Sequence, residues 1–265
     1  MDNLTTRIAE TAVSAAKAAG ELLRVHYGKE LVVHGTPGKD VKLEVDKLAE
    51  SAIKDMIQDR FPDHAVLAEE SGASGERGAE FLWVVDPLDG TVNYFHGLPY
   101  YCTSIACYRM AGGDTCLPGL GEPVVGVVYA PPTDELFVGI HTRGATLNGA
   151  SVHVADTADL SDTIFSMGFG KNVERGRDMV RVASHITDHV RKVRCLGAAA
   201  YDISNVAAGR LGGFYEGGLR SWDIAAAAVI LQEAGGVMSV EEFEPTWWRV
   251  LATTPALLSQ LQAMI

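Results

Sequence analysis

Asp86 and Asp89 close an apolar run, Phe81 through Val85, with Pro87 and Leu88 between them and Gly90 and Thr91 behind. Carboxylates at the end of a buried strand are costly unless they are paired or hold a cation. Pro87 withholds a backbone donor and fixes its own dihedral, and Gly90 permits a turn that other residues resist, so the two carboxylates can converge on one point. The pattern reads as a metal site. An acidic surface turn is the bland alternative, because Asp, Pro and Gly are ordinary turn residues. A calcium loop starting at Asp86 fails on spacing: Leu88, Gly90 and Gly97 stand at its third, fifth and twelfth positions, where oxygen donors are needed.

Further acids fall at other element ends. The short apolar run 65–68 is followed by Glu69, Glu70, Ser71 and Gly72, which reads as a second strand ending in acid. Downstream, Ser221, Trp222 and Asp223 precede an alanine-rich segment, 224–234, closed by Gly235 and Gly236. That segment reads as a helix with Asp223 at its N-terminal end, where the acid would serve either as a cap or as part of a site. Three segments that each deliver acid where the chain turns match active-site groups gathered from element ends. Only oxygen donors occur in these blocks, which favours magnesium or manganese over zinc. Such ions suit the hydrolysis of phosphate esters: bare carboxylates repel the dianion, and bound cations invert that field. The helix at Asp223 adds free amides that favour an anion nearby.

These groups must be carried by a chain of 265 residues, 47% hydrophobic, enough for a substantial core as one large domain or two subdomains. A net charge of −12 disfavours nucleic acid or an anionic membrane as a partner. No apolar stretch of about eighteen residues and no signal-peptide pattern is present, so cytoplasm is the expected location. Cys102, Cys107, Cys116 and Cys195 lack paired ligand spacing and read as buried free thiols, with Cys102 and Cys107 on opposite faces of one strand.

Periodicity predicts a helix from an Asn3 cap to Gly28, a strand at 31–34, a turn at 35–38 and a helix over 44–60. Strands follow at 65–68, 81–85, 101–109, 124–130 and 135–140, with a Gly-rich loop from Gly112 to Pro123. After a polar stretch at 156–162 the expected order is helix 176–190, strand 192–196, helix 199–208, strand 213–216, helix from 223, strand near 237 and helix 255–264, an α/β layer. His185 and His189, four apart, read as a solvated helix face, having no placed third ligand. Gly119, Gly121 and Gly126 are not a dinucleotide fingerprint, because the last interval is too long and no helix follows. Trp247 and Trp248 read as packing residues.

The blocks Glu69-Glu-Ser71, Trp83 through Phe95 and Trp222-Asp-Ile-Ala-Ala226 resemble the signature of the inositol monophosphatase and fructose-bisphosphatase superfamily, magnesium-dependent and lithium-sensitive phosphatases, in order and spacing over nearly the whole chain. The haloacid dehalogenase phosphatases also carry Asp-Gly-Thr, but one residue separates their two aspartates, whereas two separate Asp86 and Asp89, one of them proline. The resemblance implies a five-layered αβαβα sandwich of mixed α/β (α+β) type, with the site between two sheets. No internal repeat, long linker or low-complexity segment is visible, so 1–265 reads as one catalytic unit with subdomains 1–150 and 151–265; the resemblance implies two or three Mg2+ ions (Mn2+ also possible) and a homodimer. Carried over by motif, Glu69, Asp86, the Leu88 carbonyl, Asp89 and Asp223 are the metal ligands. Thr91 and Glu69 position and deprotonate the attacking water, Asp46 orients Thr91, and the Gly90 and Thr91 amides hold phosphate. Gly197, Ala198, Ala199 and Glu216, with Asp89, border the substrate. Ala198 replaces the usual Ser or Thr, and Leu43 stands where a Thr is common after Asp40. The expected substrate is inositol monophosphate, a small phosphorylated polyol. Histidinol phosphate, fructose 1,6-bisphosphate and 3′-phosphoadenosine 5′-phosphate are alternatives, and a catalytically silent scaffold is the alternative class.

Overall fold

The computed structural model describes residues 3–29, 33–34, 42–110, 117, 119–170 and 173–265. The expected turn at 35–38, Asp40, Cys116 and half of the Gly-rich loop lie outside the described residues. In chain order the elements are α1 (Asn3–His26), β1 (Val33–His34), β2 (Lys42–Leu43), α2 (Glu44–Arg60), β3 (Ala65–Ala68), β4 (Gly72–Ser74) and β5 (Phe81–Asp89). Next come α3 (Thr91–Phe95), β6 (Cys102–Arg109), β7 (Glu122–Ala130), β8 (Glu135–Ile140), β9 (Gly144–Leu147), β10 (Ala150–Val152), a 3₁₀ turn (Leu160–Asp162) and β11 (Ile164–Met167). The chain continues with α4 (Val173–Thr187), β12 (Lys192–Arg194), α5 (Ala199–Ala207), β13 (Gly213–Leu219), α6 (Ser221–Glu233), β14 (Val237–Glu244), β15 (Trp247–Thr253) and α7 (Leu258–Gln262).

Alternation along the central strands builds the layers, since successive side chains of a strand face opposite sides. In β5, Phe81, Trp83 and Val85 join the apolar layer that contains α1 and α2, whereas Val84 joins the one that contains α5 and α6. Cys102 and Cys107 of β6 divide between these layers as expected. An eight-stranded sheet, ordered β10-β9-β8-β7-β6-β5-β3-β4, separates them. A five-stranded sheet, β12-β11-β13-β15-β14, covers the other side of α5 and α6, and α4 and α7 close its far face through Phe165, Met167, Tyr215, Ile186 and Leu261. The result is five layers, αβαβα.

The alanine run in α6 lets that helix lie almost on the sheet. Ala225 to Ala228 are buried, and a Cβ at Gly126 of β7 would come within 2.2 Å of the Ala226 carbonyl oxygen. At the opposite end of β5 from its acids, the Trp83 indole donates to His64 Nδ1 at 3.0 Å. That imidazole is stacked on Phe61 and Phe81, and burial lowers its pKa.

Several expectations need correction. β4, β9, β10 and β11 lack clear apolar alternation and were not anticipated; they are short strands held in their sheets by pairing with neighbours. Trp247 and Trp248 belong to a strand, β15, antiparallel to both β13 and β14, so the second sheet is mixed. Helix α4 ends at Thr187, leaving His189 off the helix, and α6 begins two residues before Asp223. Cys195 is exposed. Among the described residues no helix is long and apolar enough to cross a membrane.

Candidate active site

Parallel pairing sets the first part of the site. β3 runs beside β5 with Ala68 opposite Val85, and the Glu69 amide continues the ladder to the Val85 carbonyl at 3.1 Å, so Glu69 leaves the sheet next to Asp86. Glu50 of α2, 4% exposed, accepts the Glu70 amide at 2.8 Å and fixes this turn from behind. On the other flank β5 pairs with β6, and the register shifts between Asp86 and Asp89. Pro87 sits in that irregularity, where its missing N–H costs no ladder bond. Its carbonyl accepts the Thr103 hydroxyl at 2.9 Å, and the Leu88 amide turns back onto Asp86 Oδ1 at 3.0 Å. Gly90 follows with φ +91, and a Cβ there would crowd the Tyr100 carbonyl oxygen at 3.0 Å, so this turn admits no side chain. Thr91 then opens α3, its hydroxyl donating to the Leu88 carbonyl at 3.0 Å.

Helix N-termini supply the rest. Asp46 and Asp223 are each the third residue of their helix, and each gives Oδ2 to its own N-cap amide, Leu43 at 3.0 Å and Arg220 at 2.6 Å. That is half of a capping box, with the other carboxylate oxygen not used by the cap. Asp89 caps a helix far away in sequence: its Oδ2 accepts the Ala200 amide at 2.8 Å, where α5 has only Ala198 at its own N-cap.

The electrostatics identify this acidic end as unusual. Burial raises the Asp86 carboxyl well above the usual range, and the charges of Glu69, Asp89 and Asp223 and a side-chain hydrogen bond with Glu69 raise it further. Asp89 is pushed up to about 7, chiefly by burial against the opposing help of the Ala200 amide. Among the described residues no three His, Cys, Asp or Glu side chains form a ready-made metal cage. The two observations concern different distances. Coulombic influence reaches well past the roughly 2.0–2.6 Å of a cation–oxygen contact, and Oδ atoms of Asp86, Asp89 and Asp223 are turned toward amides. The donors are hard oxygens, and the neighbouring Cys102 thiol is held protonated, first by burial and then by the charges of Asp89 and Asp86. Such a set fits a magnesium-type cation.

Residues 4–263 match the model of the inositol monophosphatase family. The chain belongs to that family. It is 38% identical over 261 residues to an inositol-1-monophosphatase of Synechocystis, covering 95% of this chain and 86% of that protein. It is 37% identical over 231 residues to the Nus factor SuhB of Escherichia coli, covering 86% and 83%. Among solved structures it resembles an inositol monophosphatase from Anabaena (TM-score 0.82, 34% identity, 98% and 95% covered) and one from Thermotoga maritima (TM-score 0.84, 30%, 100% and 96%). As an inositol monophosphatase family member it is a phosphomonoesterase hydrolase, and the family is generally metal-dependent.

Within this family framework, the fold brings Glu69, Asp86, Asp89 and Asp223 into one electrostatic cluster. Ala198 and Ala199 are buried at the start of α5, behind the exposed Gly197. Glu216 lies on β13, its carboxylate against Gly168, where a Cβ would meet Oε2 at 1.8 Å unless the Glu216 side chain moved. Sequence reasoning missed the connectors. Asn93 Nδ2 donates to the carbonyls of Tyr100 (2.9 Å) and Leu196 (2.7 Å), joining α3 to the segment before α5. Asp202, buried in α5, accepts hydroxyls from Tyr100 and Ser166. A lone Asn in a short helix and a lone Asp in an apolar helix carry no local signal of such partners.

Proposed function

We propose that this chain is a magnesium-dependent phosphomonoesterase that hydrolyses inositol monophosphate to inositol and phosphate. The observation that carries this reading is the buried Asp86, whose charge is opposed by Glu69, Asp89 and Asp223 at once. Like charges gathered at one buried point are stable as anions only beside cations. Glu69, Asp86, the Leu88 carbonyl, Asp89 and Asp223 would hold the ions. When bound, magnesium would neutralise these acids, acidify a water and stabilise the leaving oxygen. Glu69 and Thr91 would orient and deprotonate that water, with Asp46 orienting Thr91. The amides of Gly90 and Thr91 would hold phosphate oxygens, while Gly197, Ala198, Ala199 and Glu216 would border the polyol. The whole of 1–265 would act as one catalytic unit with subdomains 1–150 and 151–265, as a cytoplasmic homodimer, with two or three Mg2+ ions or Mn2+ in their place.

A second reading keeps the chemistry and widens the substrate. Ala198 is 2% exposed and brings no hydroxyl to the start of α5, which favours tolerance of other small phosphate esters. Turnover of inositol monophosphate, histidinol phosphate, fructose 1,6-bisphosphate and 3′-phosphoadenosine 5′-phosphate, each with magnesium and with chelator, tests both readings. Preference for the inositol ester supports the first. Magnesium-independent turnover, or full activity in Asp89→Asn, overturns the metal reading.

A further inference from the structure

Asp202 has no part in the reaction outlined above, yet it is one of the most deeply buried charged residues, at 1% exposure. It sits in the first turn of α5 and is held from two directions. Its Oδ1 accepts the Tyr100 hydroxyl at 2.5 Å, from the segment that follows α3, and its Oδ2 accepts the Ser166 hydroxyl at 2.8 Å, from β11 of the five-stranded sheet. One carboxylate therefore ties the helix to chain segments on both sides of it.

The same turn of α5 presents the Ala200 amide to Asp89 Oδ2. Nothing local fixes that turn, because Ala198 has no side-chain acceptor for its amides. The direction in which Asp89 points thus depends on where α5 begins. Asn93, bridging the Tyr100 and Leu196 carbonyls, fastens the flanking segments to each other. Within the first turn of α5 the Tyr201 hydroxyl donates to Glu135 and meets the Thr133 hydroxyl, beside β8, while Asp202 supplies the bonds to Tyr100 and to β11. An apolar side chain in place of Asp202 would avoid the cost of burying a carboxylate but would leave the Tyr100 and Ser166 hydroxyls without their acceptor. It would supply no directional bond. Directionality is what a helix aimed at a functional carboxylate requires, since displacements of about 1 Å in a supporting group are felt at a reacting centre.

We propose that Asp202 is a positioning residue that, by accepting the Tyr100 and Ser166 hydroxyls, holds the first turn of α5 so that the Ala200 amide orients Asp89. Its effect on hydrolysis rests on the reading of Asp89 as a metal ligand. Its effect on α5 does not.

The test compares Asp202→Asn, Ser166→Ala and Ser166→Thr with the parent chain. Amide hydrogen exchange is measured in chelator, Mn2+ binding by calorimetry, and kcat and KM on inositol monophosphate. In Asp202→Asn, exchange over the first turn of α5 accelerates while the α1 and β7 core is unchanged. The Mn2+ dissociation constant rises by about tenfold, the lower end of what loss of an outer support does to a metal site, and kcat falls more than KM changes. Ser166→Ala moves in the same direction by less, and Ser166→Thr, which keeps the hydroxyl, restores parent values. Exchange and constants equal to the parent overturn the proposal, as does a uniform loss of protection with constants unchanged, the signature of a merely structural group. Should Asp202→Asn fail to fold, the Ser166 pair decides. Asp89→Asn serves as control: parent-like Mn2+ binding there removes the metal reading, while exchange at α5 still judges the positioning claim.

Discussion

Asp86 and Asp202 are both almost wholly buried and both have raised pKa values, yet they are opposite in what surrounds them. Asp202 meets two hydroxyls, which partly offset its burial and leave its carboxyl at about 6. Asp86 meets three further acids, and each adds to the effect of burial. A carboxylate given enough donors belongs to the scaffold; one whose neighbours are its own kind is incomplete without positive charge. The contrast separates support from chemistry more sharply than burial or pKa alone, because on those two measures the aspartates look alike.

Asp86→Asn should break the comparison most visibly. Activity is expected to fall by roughly a thousandfold, the several kcal/mol that a bound cation contributes, whereas the melting temperature in chelator should rise because a repelled buried charge is gone. Phosphate release and calorimetry read the two effects, and a loss of stability in chelator would contradict the electrostatic account. Asp202→Ala should do the reverse in chelator, losing about 2–4 kcal/mol of stability because two hydroxyls are left buried without their acceptor, measured by urea unfolding.

Acid dependence sharpens the same contrast. A folded-state pKa raised above the ordinary aspartate value means the folded chain takes up its proton first, so that stability is fully present below the ordinary value and is lost as pH rises through the folded one. For Asp89 that window runs from the ordinary range up to about 7. The difference between the parent and Asp89→Asn, followed in chelator from pH 4 to 8, should therefore favour the parent at the acid end. Magnesium should flatten that difference, while the Asp202 contribution, with the same sign and an upper limit of about 6, should persist. The smallest effect is expected from Ala198→Ser. A local N-cap ordinarily contributes about 1 kcal/mol, but Asp89 already serves α5, so the gain should fall below that, accompanied by a modest shift of turnover toward polyol phosphates in the substrate panel.

Local sequence was enough to locate α2 to the residue and β3, β5, β6, β7 and β8 within a few residues, because their apolar periods are clear and their ends carry acids, Gly or Pro. It failed at β4, β9, β10 and β11, which are three or four residues long and too short to show a clear apolar alternation. Within the site, Asp86, Asp89 and Glu69 were legible because costly residues stood where strands stop. Asp223 was legible as a helix-end acid, although its place as third residue of α6 follows from the earlier start of that helix. Asn93, Tyr100, Ser166 and Asp202 were not, since each is unremarkable beside its sequence neighbours and acquires a role only through partners as many as 105 residues away.

The order of residues by itself determined that acids cluster at turns, that apolar strands end in those acids, and that oxygen donors alone are on offer in those blocks, because these depend on residue type and short-range spacing. Only the tertiary structure decided that the start of α5 lies against Asp89 and that one buried carboxylate holds it there. Hydrogen bonds between distant segments depend on positions accurate to a few tenths of an ångström, which no local pattern encodes.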